Sequence, residues 1–280
     1  MTDLHTPIVL GQTGLRVSRL GIGSSFTGDE RFIEEAVDQG VNYLYWGSIR
    51  RPAFGRAIRS VAKRGRDRIV VTVQSYTRVA ALMAPSVEIA LRRTGLAHFD
   101  FLLLGMWNQL PGTSLVDAAL RLKQRGLVRH LMMSTHNRPS LQGHFRAFER
   151  GESAFDAFML RYNAVHRGAE QDVFPHLPES RLPGILAYTA TRWGHLCDPA
   201  KMPEGEALPP ARDCYRFALS HPDVDMVLCG PKNREQMQES LRSLDAGPLS
   251  PEEIKRMQRI GDHIYGRYRP QFAERGDRAA

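Results

Sequence analysis

Eight short apolar runs, separated at regular intervals by stretches with helical patterning, constrain this chain more than any other feature. They are "RLGIG" (19–23), "NYLYW" (42–46), "RIVVTV" (68–73), "FDFLLLG" (99–105), "VRHLMMS" (128–134), "AFMLRY" (157–162), "GILAYT" (184–189) and "VDMVLCG" (224–230). Most lack strict apolar–polar alternation, as parallel strands covered by helices do. The stretches between them carry helix signals. Thr27 and Glu30 stand in capping-box spacing at the head of "TGDERFIEEAVDQG", which stops at Gly40. "LVDAALRLKQRG" (115–126) has helical spacing and also stops at a glycine. Asn233 and Gln236 are spaced for a cap, and Ser250, Pro251 and Glu253 form a complete helix-start signal. Eight such units in 280 residues fit an α/β fold, a closed (β/α)8 TIM barrel, which typically takes about 250 residues. A doubly wound sheet is the alternative, but "GIGSSF" after the first strand is not the phosphate-binding G-x-G-x-x-G. Upstream, "IVLGQTGLRV" (8–17) reads as two short strands around a turn, a β-hairpin placed to close the barrel bottom. No Pro/Gly/Ser linker divides the chain, so residues 1–280 are expected to form a single domain.

The formal net charge is +8. Such a balance suits nucleic acid or a phosphorylated cofactor. Here the cations are spread between acids, and the densest patch, "RSVAKRGRDR" (59–68), reads as a solvated helix end and loop. No nucleic-acid partner is expected. No apolar run is long enough to span a membrane, and "MTDLHTPIVL" lacks a signal-peptide pattern. Cys197, Cys214 and Cys229 are far apart in sequence, odd in number and outside any C-x-x-C, which points to reduced thiols and a cytoplasmic location. No metal site is expected, because no histidine pairs with a cysteine or carboxylate at ligand spacing.

Several phrases, in order along nearly the whole chain, resemble the aldo-keto reductase superfamily. They are "LGQTGLRVSRLGIGS", "AVDQGVNYLYW", "SVEIALRRTGLAHFDFLLL", "LKQRGLVRHLMMST", "FDAFMLRYNAV", "VDMVLCGPKNREQMQESL" and "LSPEEIKRMQRI". The resemblance implies an NADP(H)-dependent carbonyl reductase in that same barrel. In the family a hydride passes from the nicotinamide to the carbonyl carbon while a tyrosine protonates the oxygen. A lysine–aspartate pair tunes the tyrosine and a histidine orients the carbonyl, which is general acid catalysis with electrostatic support. Carried over residue by residue, the aspartate falls on Tyr45, the tyrosine on Arg50 in a shortened loop, the lysine on Gln74 and the histidine on Gly105. The chain thus resembles a divergent member that lacks the tetrad, a degenerate active site in which ordinary tetrad-based reduction is not expected. The cofactor segment is better kept. The family's glycine, basic residue, glutamine and glutamate fall on Gly230, Lys232, Gln236 and Glu239, with Arg234 nearby and Ser240 in place of an asparagine. Ser134 matches the serine that holds the carboxamide, and Tyr188 stands where an aromatic ring stacks on the nicotinamide. NADP(H) is therefore the implied cofactor. A surface turn at 230–239 and core packing of Tyr188 remain alternative readings.

The active site of such a barrel lies at the C-terminal strand ends. There the sequence places Ser24, Tyr45, Trp46, Gln74, Tyr76, Trp107, His136, Arg161, Asn163 and Tyr188. This aromatic and polar rim suits a small-molecule ligand. Tyr45, Gln74 and His136 are the candidate catalytic residues. Tyr45 is a replacement proton donor or a ring filling the space of the lost ion pair. His136 is an acid or base, or orders its loop, and His166 orders the loop before a helix. Arg161, two residues after Met159 and on the same strand face, calls for an anion: Glu170, Asp172 or a substrate carboxylate. Three functions stay open: an NADP(H)-dependent oxidoreductase with a rebuilt site, a non-redox lyase, dehydratase or isomerase, and a non-catalytic cofactor-binding protein (a pseudoenzyme). A protein partner or a homo-oligomer covering the open mouth is compatible with each.

Overall fold

The computed structural model describes residues 3–26, 29–105, 110–180 and 182–268. A two-stranded antiparallel hairpin, β1 (Ile8–Val9) and β2 (Arg16–Val17), precedes the barrel. The barrel strands are β3 (Leu20–Gly23), β4 (Tyr43–Trp46), β5 (Val70–Ser75), β6 (Phe99–Gly105), β7 (Val128–Ser134), β8 (Ala157–Arg161), β9 (Gly184–Tyr188) and β10 (Met226–Cys229). All pair in parallel with their sequence neighbours, and β10 closes onto β3. Helices α1 (Arg31–Asp38), α2 (Pro52–Arg64), α3 (Met83–Thr94), α4 (Thr113–Gln124) and α5 (Leu141–Glu149) follow the first five barrel strands in turn. The short α6 (Ala169–Asp172) follows β8, α7 (Ala211–Leu219) follows β9, and α8 (Arg234–Asp245) and α9 (Pro251–Arg267) follow β10. Among the described residues no helix is long and apolar enough to cross a membrane.

The strand alternation sorts the core into two clusters. One lies between barrel and helices and includes Leu44, Trp46, Val71 and Leu102. The other fills the barrel interior with Tyr43, Val70, Phe101, Leu103, Met132, Met159, Leu186 and Met226. Leu10 and Val17 of the hairpin belong to this inner cluster, so the hairpin does plug the N-terminal end of the barrel. Gly11 makes this seat possible. It has φ +50°, and a Cβ there would land on the Gly184 amide at the start of β9. Buried Tyr43 is satisfied inside the barrel by Thr72, at 2.5 Å between the two hydroxyl oxygens.

Two sequence expectations shift. The third barrel strand is Val70–Ser75 and not 68–73. Arg66–Arg68 instead form a 3-10 turn, with the Arg66 side chain donating to the Ile69 carbonyl at 2.7 Å. At the other end, polar Gln74 and Ser75 continue the strand by pairing with Leu103 and Leu104. The first helix starts at Arg31, and Glu30 makes no side-chain cap because its carboxylate pairs with Arg56 at 3.1 Å. Thr27, its expected capping partner, lies outside the described residues. The later helix starts hold. Asn233 Oδ1 accepts from the Gln236 amide at 2.9 Å. Ser250 and Glu253 close a reciprocal capping box, with Pro251 in the first turn.

One buried carboxyl gives the fold a pH dependence. Asp225, just before β10, accepts from the Ile185 amide at 2.8 Å. Burial pushes its carboxyl up from 3.8 to about 6, against the pull of that amide and of Arg19. Folding therefore favours the protonated form. Its stabilising effect is complete below the unfolded value and is lost as pH rises through about 6. Asp225→Asn is expected to gain about 1–3 kcal/mol at about pH 7.5, and far less near pH 4. Urea unfolding at both pH values checks this, since equal gains would exonerate Asp225.

Candidate active site at the barrel mouth

Most of the residues that follow the inner layers on the inward strand faces are polar, Gly105 being the exception. Tyr45 stands two residues beyond Tyr43, Gln74 beyond Thr72, Gly105 beyond Leu103, Ser134 beyond Met132, Arg161 beyond Met159 and Tyr188 beyond Leu186. The side-chain period of two delivers this set to the mouth. The Tyr45 hydroxyl donates to Gln74 Oε1. Gln74 Nε2 fills the place a side chain at 105 would take, since a Cβ on Gly105 would land on that nitrogen. Tyr45, Gln74 and Gly105 are thus one interlocked unit. Burial holds the Tyr45 phenol well above its usual 10.0, and the hydroxyl of Tyr76 adds to that shift. Tyr76 itself is 58% exposed.

A second polar pair stands across the mouth. His136 Nε2 and the Tyr188 hydroxyl lie 2.9 Å apart, and Ser134 acts on the same phenol. Burial raises the Tyr188 phenol, while nearby Arg161 and Ser134 act to lower it. The structure therefore joins His136, Tyr188 and Ser134. Arg161 is 4% exposed. The two carboxylates considered for it are engaged elsewhere: Glu170 accepts from the Tyr162 hydroxyl at 2.7 Å, and Asp172 pairs with Arg138 at 3.0 Å.

Other expected rim residues serve the scaffold. Trp46 is fully buried on the helix side of the barrel, its Nε1 donating to the Arg51 carbonyl at 3.0 Å. Ser24 Oγ accepts from the Gly47 amide at 3.0 Å and ties two strand ends together. Asn163 Oδ1 accepts from the amides of Val165 and His166, so both Asn163 and His166 order their loop. Trp107 lies outside the described residues.

A cavity of about 170 Å³ opens beside Tyr45 and Tyr188 and runs to Gly23, Gly230, Trp193 and Tyr215. Gly230 presents bare backbone, where a Cβ would approach Phe26 to 3.2 Å. A larger cavity of about 450 Å³ lies between the end of β5 and α3, walled by Gln74, Tyr76, Arg50 and Ser86. Tyr45 lines the first cavity and Gln74 the second. Sequence reading missed Phe26, Trp193 and Tyr215. Trp193 sits in a loop where Thr189, Arg192 and Trp193 all have φ between +52° and +56°. Such backbone strain collects at functional sites. The visible signal was a tryptophan beside Gly194 outside any strand or helix pattern.

Beyond Gly230 the segment expected to hold the cofactor is tied down by its own contacts. Lys232 Nζ lies 5.7 Å from the centre of the Phe26 ring, a cation–π contact. The Gln236 side chain accepts from the Lys232 amide at 2.9 Å, one residue further back than a capping box requires. Arg234 pairs with Glu35 at 2.8 Å. Glu239 accepts from Arg212 at 3.1 Å and from Arg242 at 2.8 Å. Burial alone would raise the Glu239 carboxyl, but Arg242 and Arg212 outweigh it and hold it low.

Comparison with known proteins points the same way at the level of fold. The Aldo/keto reductase family matches residues 200–262, a span that contains α7, α8 and most of α9. Among solved structures the chain is similar to the aldo-keto reductase AKR11C1 from Bacillus halodurans in its holo form. The TM-score is 0.74 at 19% identity, over 91% of this chain and 96% of that one. It is also similar to an aldo-keto reductase from Klebsiella pneumoniae in complex with NADPH. There the TM-score is 0.72 at 20% identity, over 94% of this chain and 96% of that one. No curated protein matches the sequence. The fold is the barrel these reductases share.

Proposed function

We propose that the chain is a divergent aldo-keto reductase, an NADP(H)-binding oxidoreductase with a non-standard site. In this reading Tyr45, held by Gln74, replaces the tetrad. One observation carries it: Tyr45 stands in the wall of a mouth cavity that ends at the bare backbone of Gly230, two residues before Lys232. The residues present fit the cofactor. Gly23 and Gly230 leave backbone open where side chains would fill the cleft. Tyr188 offers a ring, Ser134 a hydroxyl, and Lys232 a cation for a 2′-phosphate. Arg234 adds a second positive charge, while Gln236 and Glu239 stand along the same helix. When bound, NADPH supplies a hydride to a carbonyl carbon.

The protein's part is to hold the carbonyl and manage one proton. Tyr45 stays protonated across the neutral range because burial disfavours its phenolate. Its proton rests on Gln74 Oε1 until the substrate oxygen competes for it. Turning the Gln74 amide would present Nε2 to the phenol oxygen and free the O–H for the substrate. Gln74 is neutral, so it stabilises developing charge less than a lysine would. His136, bonded to Tyr188, orients that ring and the loop beneath it. The larger cavity, with Arg50 at its edge, is the side from which a substrate enters.

NADPH titration followed by the exposed Trp193 tests the reading. Binding in the micromolar range, with NADPH consumed against a panel of aldehydes and ketones, is expected. Lys232→Ala should weaken NADPH about 10- to 100-fold through loss of a charge-assisted contact worth about 1.5–3 kcal/mol, and leave NADH almost unchanged. Equal loss for both would remove Lys232 from the 2′-phosphate. Binding without turnover would favour the non-catalytic reading, and product without NADPH consumption the lyase or isomerase reading.

A further inference from the structure

Two of the cysteines that lie far apart in sequence meet in the fold. Cys214, in α7, is fully buried. Cys197 closes a short turn, His195–Cys197, packs against the same core and is partly exposed. The turn packs against α7, and there the two thiols interact. This contact holds the Cys197 thiol below its usual 9.0 and pushes the Cys214 thiol well above it. Cys229, buried in β10, is pushed up to about 12 by desolvation.

We propose that Cys197 and Cys214 are an oxidative modification site, a dithiol that hydroperoxides convert to an intramolecular disulfide. The geometry divides the labour. Cys197 is the one solvent can reach, and it carries the readier thiolate. Its sulfur attacks a peroxide oxygen, the O–O bond breaks, and water leaves with a sulfenic acid on Cys197. Cys214 sulfur then attacks Cys197 sulfur, the S–O bond breaks, and the Cys214 proton leaves with the oxygen as a second water. One hydrogen peroxide is reduced to two waters while two thiols lose two electrons. Without its neighbour Cys197 would remain on the oxidation ladder; with it, the product is a bond that a thiol reductant reverses.

The link bears on the mouth. Tyr215 follows Cys214 and Trp193 lies four residues before Cys197, and both line the 170 Å³ cavity. A disulfide pins the strained loop after β9 to α7 beside that cavity. The inference stands independently of the cofactor reading.

Hydrogen peroxide treatment of the intact protein, alkylation and tryptic mapping without reductant test it. Cleavage at Arg192, Lys201, Arg212 and Arg216 isolates "WGHLCDPAK" and "DCYR". The expected result is these two peptides joined, two hydrogens lighter than their sum, and separated again by dithiothreitol. Cys214→Ser should instead leave sulfenic or sulfinic acid on Cys197, and Cys197→Ser should leave Cys214 alkylatable once the chain is unfolded. The idea is overturned if both cysteines stay alkylatable at a peroxide dose that oxidises methionines, or if Cys197 links to Cys229. If a variant does not fold, the map of the unsubstituted protein decides by itself.

Discussion

Tyr45→Phe is expected to lower NADPH-dependent carbonyl turnover by about two to four orders of magnitude, the usual cost of losing a general acid. NADPH affinity should stay within about threefold, because the ring that walls the cavity is kept. The argument rests on which hydroxyl can reach a substrate from inside the barrel. Tyr76 is largely exposed, and Tyr188 is committed to His136 and Ser134. Among the described residues Tyr45 donates to the neutral Gln74 amide and interacts with Tyr76. Gln74→Ala should cost less than Tyr45→Phe, since it removes the support and keeps the proton. The raised phenol also fixes a sign. Turnover should show no loss from Tyr45 ionisation until above about pH 10, the ordinary tyrosine value. Steady-state rates for both variants across that range are the check. A Tyr45→Phe protein with full turnover would reduce Tyr45 to a wall of the cavity.

Gly11→Ala is expected to destabilise the fold by about 2–4 kcal/mol, combining a left-handed backbone penalty with a steric clash. The methyl group meets backbone at Pro183 and Gly184, not the yielding end of a side chain. The hairpin must lift, or β9 must move at its first residue. Either change uncovers Leu10 and Val17 and with them the floor of the inner core. Chemical denaturation, compared with an alanine at exposed Gly14, checks it. Gly14 has φ +71° but open space around it, so it reports the backbone penalty alone. Equal losses at both sites would mean the close approach to β9 contributes nothing.

The barrel was legible because its strands are nearly continuous apolar runs, and the helix starts at Asn233 and Ser250 because their chemistry is local. Gln74 was legible as a strand-end residue, yet its partner was not. That Gln74 answers to Gly105 depends on two adjacent strands, and no spacing along the chain encodes it. His136 and Tyr188 are 52 residues apart and meet for the same reason. Phe26 and Trp193 were missed because loops deliver them, and Trp193 does so through a backbone conformation that its residue type disfavours. Trp46 was misplaced by one step of the strand period, which turned it from the mouth to the helices. The cysteines look unrelated in sequence because the segment 198–213 between them loops out and returns.

The interlock of Gln74 with Gly105 has a consequence for the order in which this mouth can be rewritten. A histidine at 105 meets the Gln74 amide while that glutamine remains, and the displaced glutamine would abandon Tyr45. A lysine at 74 alone would set a cation beside a phenol with no aspartate on the neighbouring strand to balance it. Each of these two changes is thus expected to be a handicap when introduced singly. Positions 74 and 105 are therefore expected to change together or not at all.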